Sequence, residues 1–410
     1  EMYANLSRVG KQCTGDLEVD NGSYNGGYIQ PDVFHGKGRM IWTKGKFAGD
    51  MYEGEWVYDV VEGTGKYQYG QSGGTYVGQF KEGKRHGKGT YTFGSGDVYV
   101  GNFECGAQTG QGVYTWKDGS KYRGRFFNDK RNGHGVMTFA SGRAGASVLK
   151  RDRAGSSDGR YYHGEWSEDQ LHGKGTFVWA NGDKYSGEWK EGCKHGKGKY
   201  VWADGSWYEG MFDMDKRVDP HARQVIQGEG KYEGSFRDDV KEGYGVYWSF
   251  KEAKTYDGDF ANGTFDGEGV LVFGDGRRVE ATFSAGKING DVKMWYMGGR
   301  YYKGPLAPGS ERTAQGRGWL KYPDGSTYTG EFKHDQPEGK GELEYPPSLK
   351  LAKVAGEFKD GVPEDEGARV PPKWGMSFVL AGVCCHGVQA GPSDVIRPPR
   401  SSPAPKDLPP

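Results

Sequence analysis

A Tyr-x-Gly opening that returns at a fixed step constrains this chain more than any other property. It stands at Tyr76, Tyr99 and Tyr122, and again at Tyr162, Tyr185 and Tyr208, each time 23 residues after the last. Further copies open at Tyr24, Tyr52, Tyr232, Tyr256, Tyr302 and Tyr328, and degenerate ones at Val279-Glu280-Ala281 and Val354-Ala355-Gly356. A sequence with a period in this range folds as an array of one supersecondary unit, and each unit buries its apolar face only against its neighbours.

Within a unit the apolar positions alternate. Tyr76, Gly78 and Phe80 lie on one side of Val77 and Gln79, and Gly87, Gly89, Tyr91 and Phe93 on one side of Lys88, Thr90 and Thr92. Period two means β-strand. The segment Lys81–His86 is read as the join between the two strands. The dipeptides Asp118-Gly119, Asn181-Gly182, Asp204-Gly205 and Asp324-Gly325 are read as tight turns leading into the next unit. Each unit is then a β-hairpin, and the whole an all-β, elongated, single-layer twisted antiparallel meander of about 12 clear repeats plus two degenerate ones. At about 4.8 Å per strand such a meander is a rod on the order of 120 Å long.

One face of this meander carries the aromatic residues, and glycines beside them leave bare backbone over which rings can lie. The repeat-core aromatics are Tyr52, Trp56, Tyr76, Phe80, Tyr99, Phe103, Tyr122, Phe126, Tyr162, Trp166, Tyr185, Trp189, Tyr328 and Phe332. Their expected role is core. The 73 glycines alone would suggest disorder, but an aromatic share of 14% supplies the material to pack.

The breaks in the period divide the chain. Residues 1–23 are assigned to an N-terminal segment, 24–212 to a first repeat block with an insertion at 143–160, and 213–230 to an irregular junction that has lost its second strand's pattern. Residues 231–363 form a second block with an insertion at 305–313, 364–390 read as a C-terminal cap, and 391–410 as a disordered Pro-rich tail.

The segments Tyr162-His163-Gly164-Glu165-Trp166, His172-Gly173-Lys174-Gly175-Thr176-Phe177 and Asn181-Gly182-Asp183-Lys184-Tyr185 resemble the MORN (membrane occupation and recognition nexus) repeat almost letter for letter. Tyr185-Ser186-Gly187-Glu188-Trp189 with His195-Gly196-Lys197-Gly198 does so as well. The resemblance covers roughly residues 24 to 361. It implies the scaffold roles of nearly all-repeat members, in cytoskeletal assemblies or radial spoke heads. Some such members dimerise through terminal repeats, so a homodimer is among the expectations. Because many unrelated proteins share the repeat, it marks fold more than function.

No motif for chemistry emerges. His35, His86, His172 and His195 recur in His-Gly-Lys-Gly, but equivalent positions in adjacent repeats lie about 10 Å apart, too far for one metal ion. The Gly-x-Gly pairs lack the further glycine and the helix that a dinucleotide needs. Paired carboxylates require a desolvated cleft. Glu55, Glu165, Glu188 and Glu331 are read instead as cross-strand partners of lysines on the polar face. The expectation is therefore no enzyme activity, no metal and no cofactor.

Lys and Arg total 55, as do Asp and Glu, so no global field draws the chain onto nucleic acid or an anionic membrane. Five cysteines in no metal-ligand spacing suit a reducing compartment. The candidate phosphate or partner contacts are Lys150, Arg151, Arg153 and Arg160 of the first insertion. The leading expectation is a non-enzymatic cytoplasmic scaffold whose partners are proteins of a cytoskeletal or ciliary complex. A membrane-associated adaptor for anionic phospholipid ranks below it, followed by a regulatory region of a larger enzyme such as a phosphatidylinositol phosphate kinase.

Overall fold

Residues 12–29, 32–140, 157–351 and 353–364 are described by the computed structural model. They form one antiparallel sheet of 30 strands, without an α-helix among the described residues. Each repeat has an opening strand that carries the Tyr and a return strand that carries the Gly-x-Gly, as in Thr75–Lys81 and Lys84–Thr92. The return strand then pairs with the next opening strand, Val98–Glu104, so the ladder continues from repeat to repeat.

The tight turn is not where the sequence reading set it. Lys81 pairs with Lys84, so the join inside a repeat is only Glu82-Gly83, both at positive φ (53° and 74°). Two successive positive φ angles give the turn whose twist matches the flanking strands. Asp occupies the second position in several repeats, where its carboxylate also accepts the N–H of the repeat before: Asp129 from Gln108 at 2.8 Å, Asp215 from Lys194 at 3.0 Å. The Asp-Gly connections between repeats are longer loops. In one of them Gly119 N–H donates to Trp116 O, Trp116 N–H donates to Ser120 O, and Gly119 alone has positive φ, at 95°.

A bulge sits in almost every hairpin. Gly78 pairs with Gly89 but Gln79 with His86, so Gly87 and Lys88 are left over on the return strand. Side chains at the position after the opening glycine cap the freed amides. Lys88 N–H donates to Gln79 Oε1 at 3.0 Å, Lys174 N–H to Glu165 Oε1 at 3.1 Å, and Thr64 gives Glu55 both its N–H and its hydroxyl. These glutamates therefore hold bulges rather than lysines.

Two boundaries differ from the sequence reading. Gln12–Val19 pairs along its full length with Gly22–Ile29, so residues 12–23 belong to the sheet; Leu17 and Val19 pack against the aromatic face while Asp16 and Glu18 point out. At 213–230 the return strand is present in two pieces, Lys216–Arg217 and Ala222–Ile226, and both pair with Trp207–Asp213. Asp219 between them accepts Met211 N–H at 2.7 Å, standing in for the bulge cap. The sheet thus runs unbroken from the first block to the second. The expected cap and tail, 364–390 and 391–410, lie outside the described residues apart from Glu364.

Candidate functional site

The aromatic face has two layers of residues with different exposure. Nearest the backbone lies a closed ladder of tyrosines and Phe or Trp. Tyr76 meets Phe80 at 5.0 Å and 90° between ring planes, and Phe103 of the next repeat at 5.0 Å and 81°. Tyr99 repeats this with Phe103 and Phe126. Edge-to-face contacts of this kind suit the ring quadrupole. Each ring lies over the paired glycines, where a Cβ on Gly89 would come within 2.4 Å of Tyr76. Every hydroxyl in the ladder donates to a carbonyl three residues on, Tyr76 to Gln79 at 2.9 Å and Tyr185 to Glu188 at 2.9 Å among them. Burial raises the phenol pKa, to about 12 for Tyr76 and for Tyr122. All fourteen repeat-core aromatics sit in this ladder, none more than 6% exposed.

A second layer follows from the return strands. Tyr67, Tyr69, Tyr91, Phe93, Tyr114 and Trp116 form a chain of ring contacts spaced 4.4 to 5.7 Å, and Phe177, Trp179, Tyr200 and Trp202 form another, spaced 4.7 to 5.4 Å. These rings are only half-buried. Cations are stacked among them. The Arg85 guanidinium lies 4.8 Å from the Tyr91 ring, Arg131 5.9 Å from Trp116 and 4.3 Å from Trp166 of the ladder, and Lys194 5.5 Å from Tyr200. Arg131 and Lys194 also pair with the turn carboxylates Asp169 and Asp215, at 2.8 and 3.1 Å. Lys241, over Tyr232 and Tyr247, has its ammonium pKa lowered first by burial and then by Arg217. Glu229 acts on Lys241 from a distance, and neither Arg85 nor Lys241 forms a direct ion pair among the described residues.

In the second block the same layer is more closed, with Tyr247 and Tyr322 still half-buried. After Tyr247 its inner positions are shorter aliphatics, Leu271, Met294, Leu320 and Leu343, all buried, as Met40 and Met137 are in the first block. Over Phe273, 7% exposed, lies the insertion after Gly304, and over Tyr296, 8% exposed, lie Arg300 and Arg277, the latter bonded to the insertion. This strap is anchored by charge. Glu311 pairs with Lys254, which also holds Glu252 at 2.7 Å, and Arg312 pairs with Asp275 at 3.0 Å while covering the Phe273 ring. Arg277 donates to Arg312 O at 2.7 Å and to Asp335, whose carboxylate also takes the Tyr296 hydroxyl and the Ala314 N–H. Beneath the strap a cleft of about 900 Å³ remains, lined by Lys254, Phe273, Ile288 and Leu306.

Of the four candidate basic contacts, Lys150, Arg151 and Arg153 lie outside the described residues. Arg160 is in the strand Ser157–Ser167, half-buried, with its guanidinium 5.2 Å from the Phe139 ring. The open second layer was not singled out in the sequence, and the strap only as the insertion at 305–313. The signal available was a change at one repeat position, mostly Tyr or Phe as far as Tyr247, with Met40 and Met137 among the exceptions, and Leu or Met from Leu271 on. No group of three or more metal-ligating residues occurs among the described residues, nor does a helix long and apolar enough to cross a membrane.

The MORN repeat model matches residues 32–47, 52–73, 76–98, 99–121, 122–142, 162–184, 185–207, 232–250, 256–277, 314–327 and 328–349. No curated protein matches the chain. Among solved structures, the G-box domain of the microcephaly protein CPAP, described with a role in centriole elongation, is 13% identical with a TM-score of 0.28; the match covers 46% of this chain and 94% of that one. The TCP domain of SAS-4 from Drosophila melanogaster, in complex with a proline-rich motif of Ana2, is 14% identical with a TM-score of 0.24 over 54% of this chain and 97% of that one. The TCP10 domain of CPAP from Danio rerio, bound to a STIL peptide, is 12% identical with a TM-score of 0.17 over 77% and 97%. At these TM-scores the likenesses carry no argument for the present chain.

Proposed function

Since the chain belongs to the MORN-repeat family, with eleven matched repeats, we propose that it is a non-enzymatic scaffold joining proteins of a cytoskeletal or ciliary assembly, one of them docked on the aromatic layer between Tyr67 and Trp202. The observation that supports this reading is the contrast within one sheet. A row of rings that the strap and the arginine bonded to it cover at Phe273 and Tyr296 is left half-exposed at Phe93, Trp116, Trp179 and Trp202. Contiguous exposed aromatics mark interaction surfaces, because they offer large apolar area at low side-chain entropy. The strap indicates what such a face accepts: an irregular Pro-containing segment with Leu306 packed on the core, Arg312 over a ring, and charged side chains reaching a cation and a carboxylate at the rim. A partner segment of that composition is the expected occupant.

The test is a photo-crosslinking amino acid in place of Trp116 or of Tyr296, expressed in ciliated cells. The reading expects discrete crosslinks to cytoskeletal proteins from position 116 and none from the strapped position 296. Identical crosslinked species at both positions, or none at 116, would sink it.

A further inference from the structure

The opposite face of the sheet has its own organisation, hidden by a net charge of zero. The opening strand Lys121–Phe127 alternates strictly, so that Lys121, Arg123 and Arg125 are exposed on the polar face while Tyr122, Gly124 and Phe126 are buried. Ladder registers carry this face onward. Arg123 pairs across to Val136, Val136 to His163, His163 to Thr176, Thr176 to Ser186 and Ser186 to Lys199. Upstream the same row reads Val77, Thr90, Val100 and Val113. Ten strands in succession thus place no carboxylate in the central row.

The flanking rows add Lys184 on one side and Lys174 and Lys197 on the other. The acids there are Glu165 and Glu188, and Glu165 is engaged with the bulge amide of Lys174. Lys121, Arg123, Arg125, Lys174, Lys184 and Lys197 are all exposed, and none forms an ion pair among the described residues. Beyond Lys199 carboxylates enter the central row: Glu209, Glu233, Asp257 and Glu280, with Arg223 between the first two and Lys293 and Lys303 after the last. Opposite charges that alternate along a sheet neutralise each other locally; charges sorted into sectors leave a field at the surface.

We infer that this basic sector, from Lys121 to Lys197, is a docking surface for an acidic, extended polypeptide segment of a partner protein. It goes beyond the reading above, since it uses the other face. Charge complementarity sets the partner's sign, and the twist sets its class. Six strands carry the sector, and five inter-strand rotations of about 20–25° turn its far end by roughly 100–125° from its near end. A planar bilayer meets only part of such a surface at once, whereas a flexible chain follows it. Five spacings of about 4.8 Å span roughly 24 Å, the reach of about seven extended residues.

The probe is a fluorescein-labelled peptide of eight glutamates flanked by Gly-Ser, titrated by anisotropy with the full chain at low and physiological salt. Beside it stand vesicles containing phosphatidylserine and phosphoinositide. The variants are Lys121→Ser/Arg123→Ser/Arg125→Ser and, as a control on the same face, Lys303→Ser/Arg317→Ser/Lys340→Ser; circular dichroism checks that both fold. Peptide affinity is expected to fall roughly tenfold or more in the first variant and to stay unchanged in the control. Three results overturn the inference: no peptide binding at low salt, equal loss in both variants, or vesicle binding that survives physiological salt and matches that of the peptide.

Discussion

Replacing Gly198 by Ala tests the packing logic of the whole sheet. A Cβ there would lie 2.4 Å from both Cε2 and the hydroxyl of Tyr185, where carbon contacts prefer about 3.5–4.0 Å. The ring has nowhere to go: Trp189 meets it at 5.0 Å and Phe212 at 5.2 Å, and its hydroxyl is bonded to Glu188 O. Retreating by more than about 1 Å forfeits that bond, about 1 kcal/mol, and loosens two ring contacts of about 0.5–1.5 kcal/mol each. A local cost of about 3 kcal/mol follows, at the upper end for overpacking. Gly192→Ala is the control, because Gly192 has φ +84° and nothing within 4 Å, so its cost is conformational only, about 1 kcal/mol.

Global melting is the wrong assay, since an array opens locally and its repeats couple only to neighbours. Amide exchange resolves it. In Gly198→Ala, protection of the strands Lys184–Lys190 and Cys193–Val201 is expected to drop by about 100-fold, and by less than about tenfold in Gly192→Ala. The repeat at Tyr52 should be unaffected in both. Equal losses in the two variants would falsify the claim that glycine is there to admit the ring.

Three further outcomes are expected. Arg312→Ala with Glu311→Gln removes both ion pairs of the strap, costs about 1–2 kcal/mol locally, and exposes Phe273 and Tyr296; unchanged hydroxyl-radical labelling of Tyr296 would contradict the strap's role. The Glu55 carboxyl is held below its ordinary value of 4.5 by the hydroxyl and amide of Thr64. Its stabilisation is therefore present above that value and lost as pH falls through the lower, folded one. Thr64→Val should raise the Glu55 pKa by NMR titration, and Glu55→Gln should be tolerated at neutral pH because Gln79 already fills the same role. At alkaline pH the sign reverses: burial raises Tyr76 and Tyr122 from 10.0 to about 12, so their contribution is complete below pH 10 and lost as pH rises toward 12. Tyrosinate absorbance and loss of β-sheet circular dichroism are expected to rise together there, and ladder tyrosines that ionised with the sheet intact would count against their burial.

The period-two alternation made the strands, the meander and the aromatic core legible, since each depends only on residues near in sequence. What escaped were features set by pairing. The bulge at Gly87-Lys88 is invisible in the spacing of Gly87, Gly89 and Tyr91, which reads as plain alternation; it appears only when Gln79 is found opposite His86. With it went the role of Glu55 and Glu165, which look like partners for lysines until the unpaired amides are located. The split strand at Lys216–Arg217 and Ala222–Ile226 escaped because Pro220 and Asp219 mask its alternation, while strand Trp207–Asp213 holds both halves in register. The strap was legible only as an interruption, because its anchors Lys254, Asp275 and Asp335 come from three other repeats.

These particulars bear on where function is free to vary in such a sheet. The ladder positions are fixed by contact with glycine backbone, and the bulge-capping positions by free amides, so neither is available for recognition. Two sets of side chains remain: the second aromatic layer and the central rows of the polar face. In this chain both are uneven along the array, with open rings giving way to strapped aliphatics on one face and cations giving way to carboxylates on the other. The change in charge begins at Glu209, just before the split strand at 213–230, and the change in the aromatic layer follows it, so that this irregular return strand lies between two runs of repeats that share a backbone and differ in surface. If the division is functional, moving the strap should move the docking limit. Grafting Ala307–Thr313 between Phe126 and Arg131, in place of the Phe127–Lys130 turn, together with Lys and Asp at the positions of Gly74 and Ser95, is expected to abolish crosslinking from Trp116 while leaving the acidic peptide bound to the opposite face. Crosslinking that persisted under the grafted strap would show that the open rings are not the docking surface.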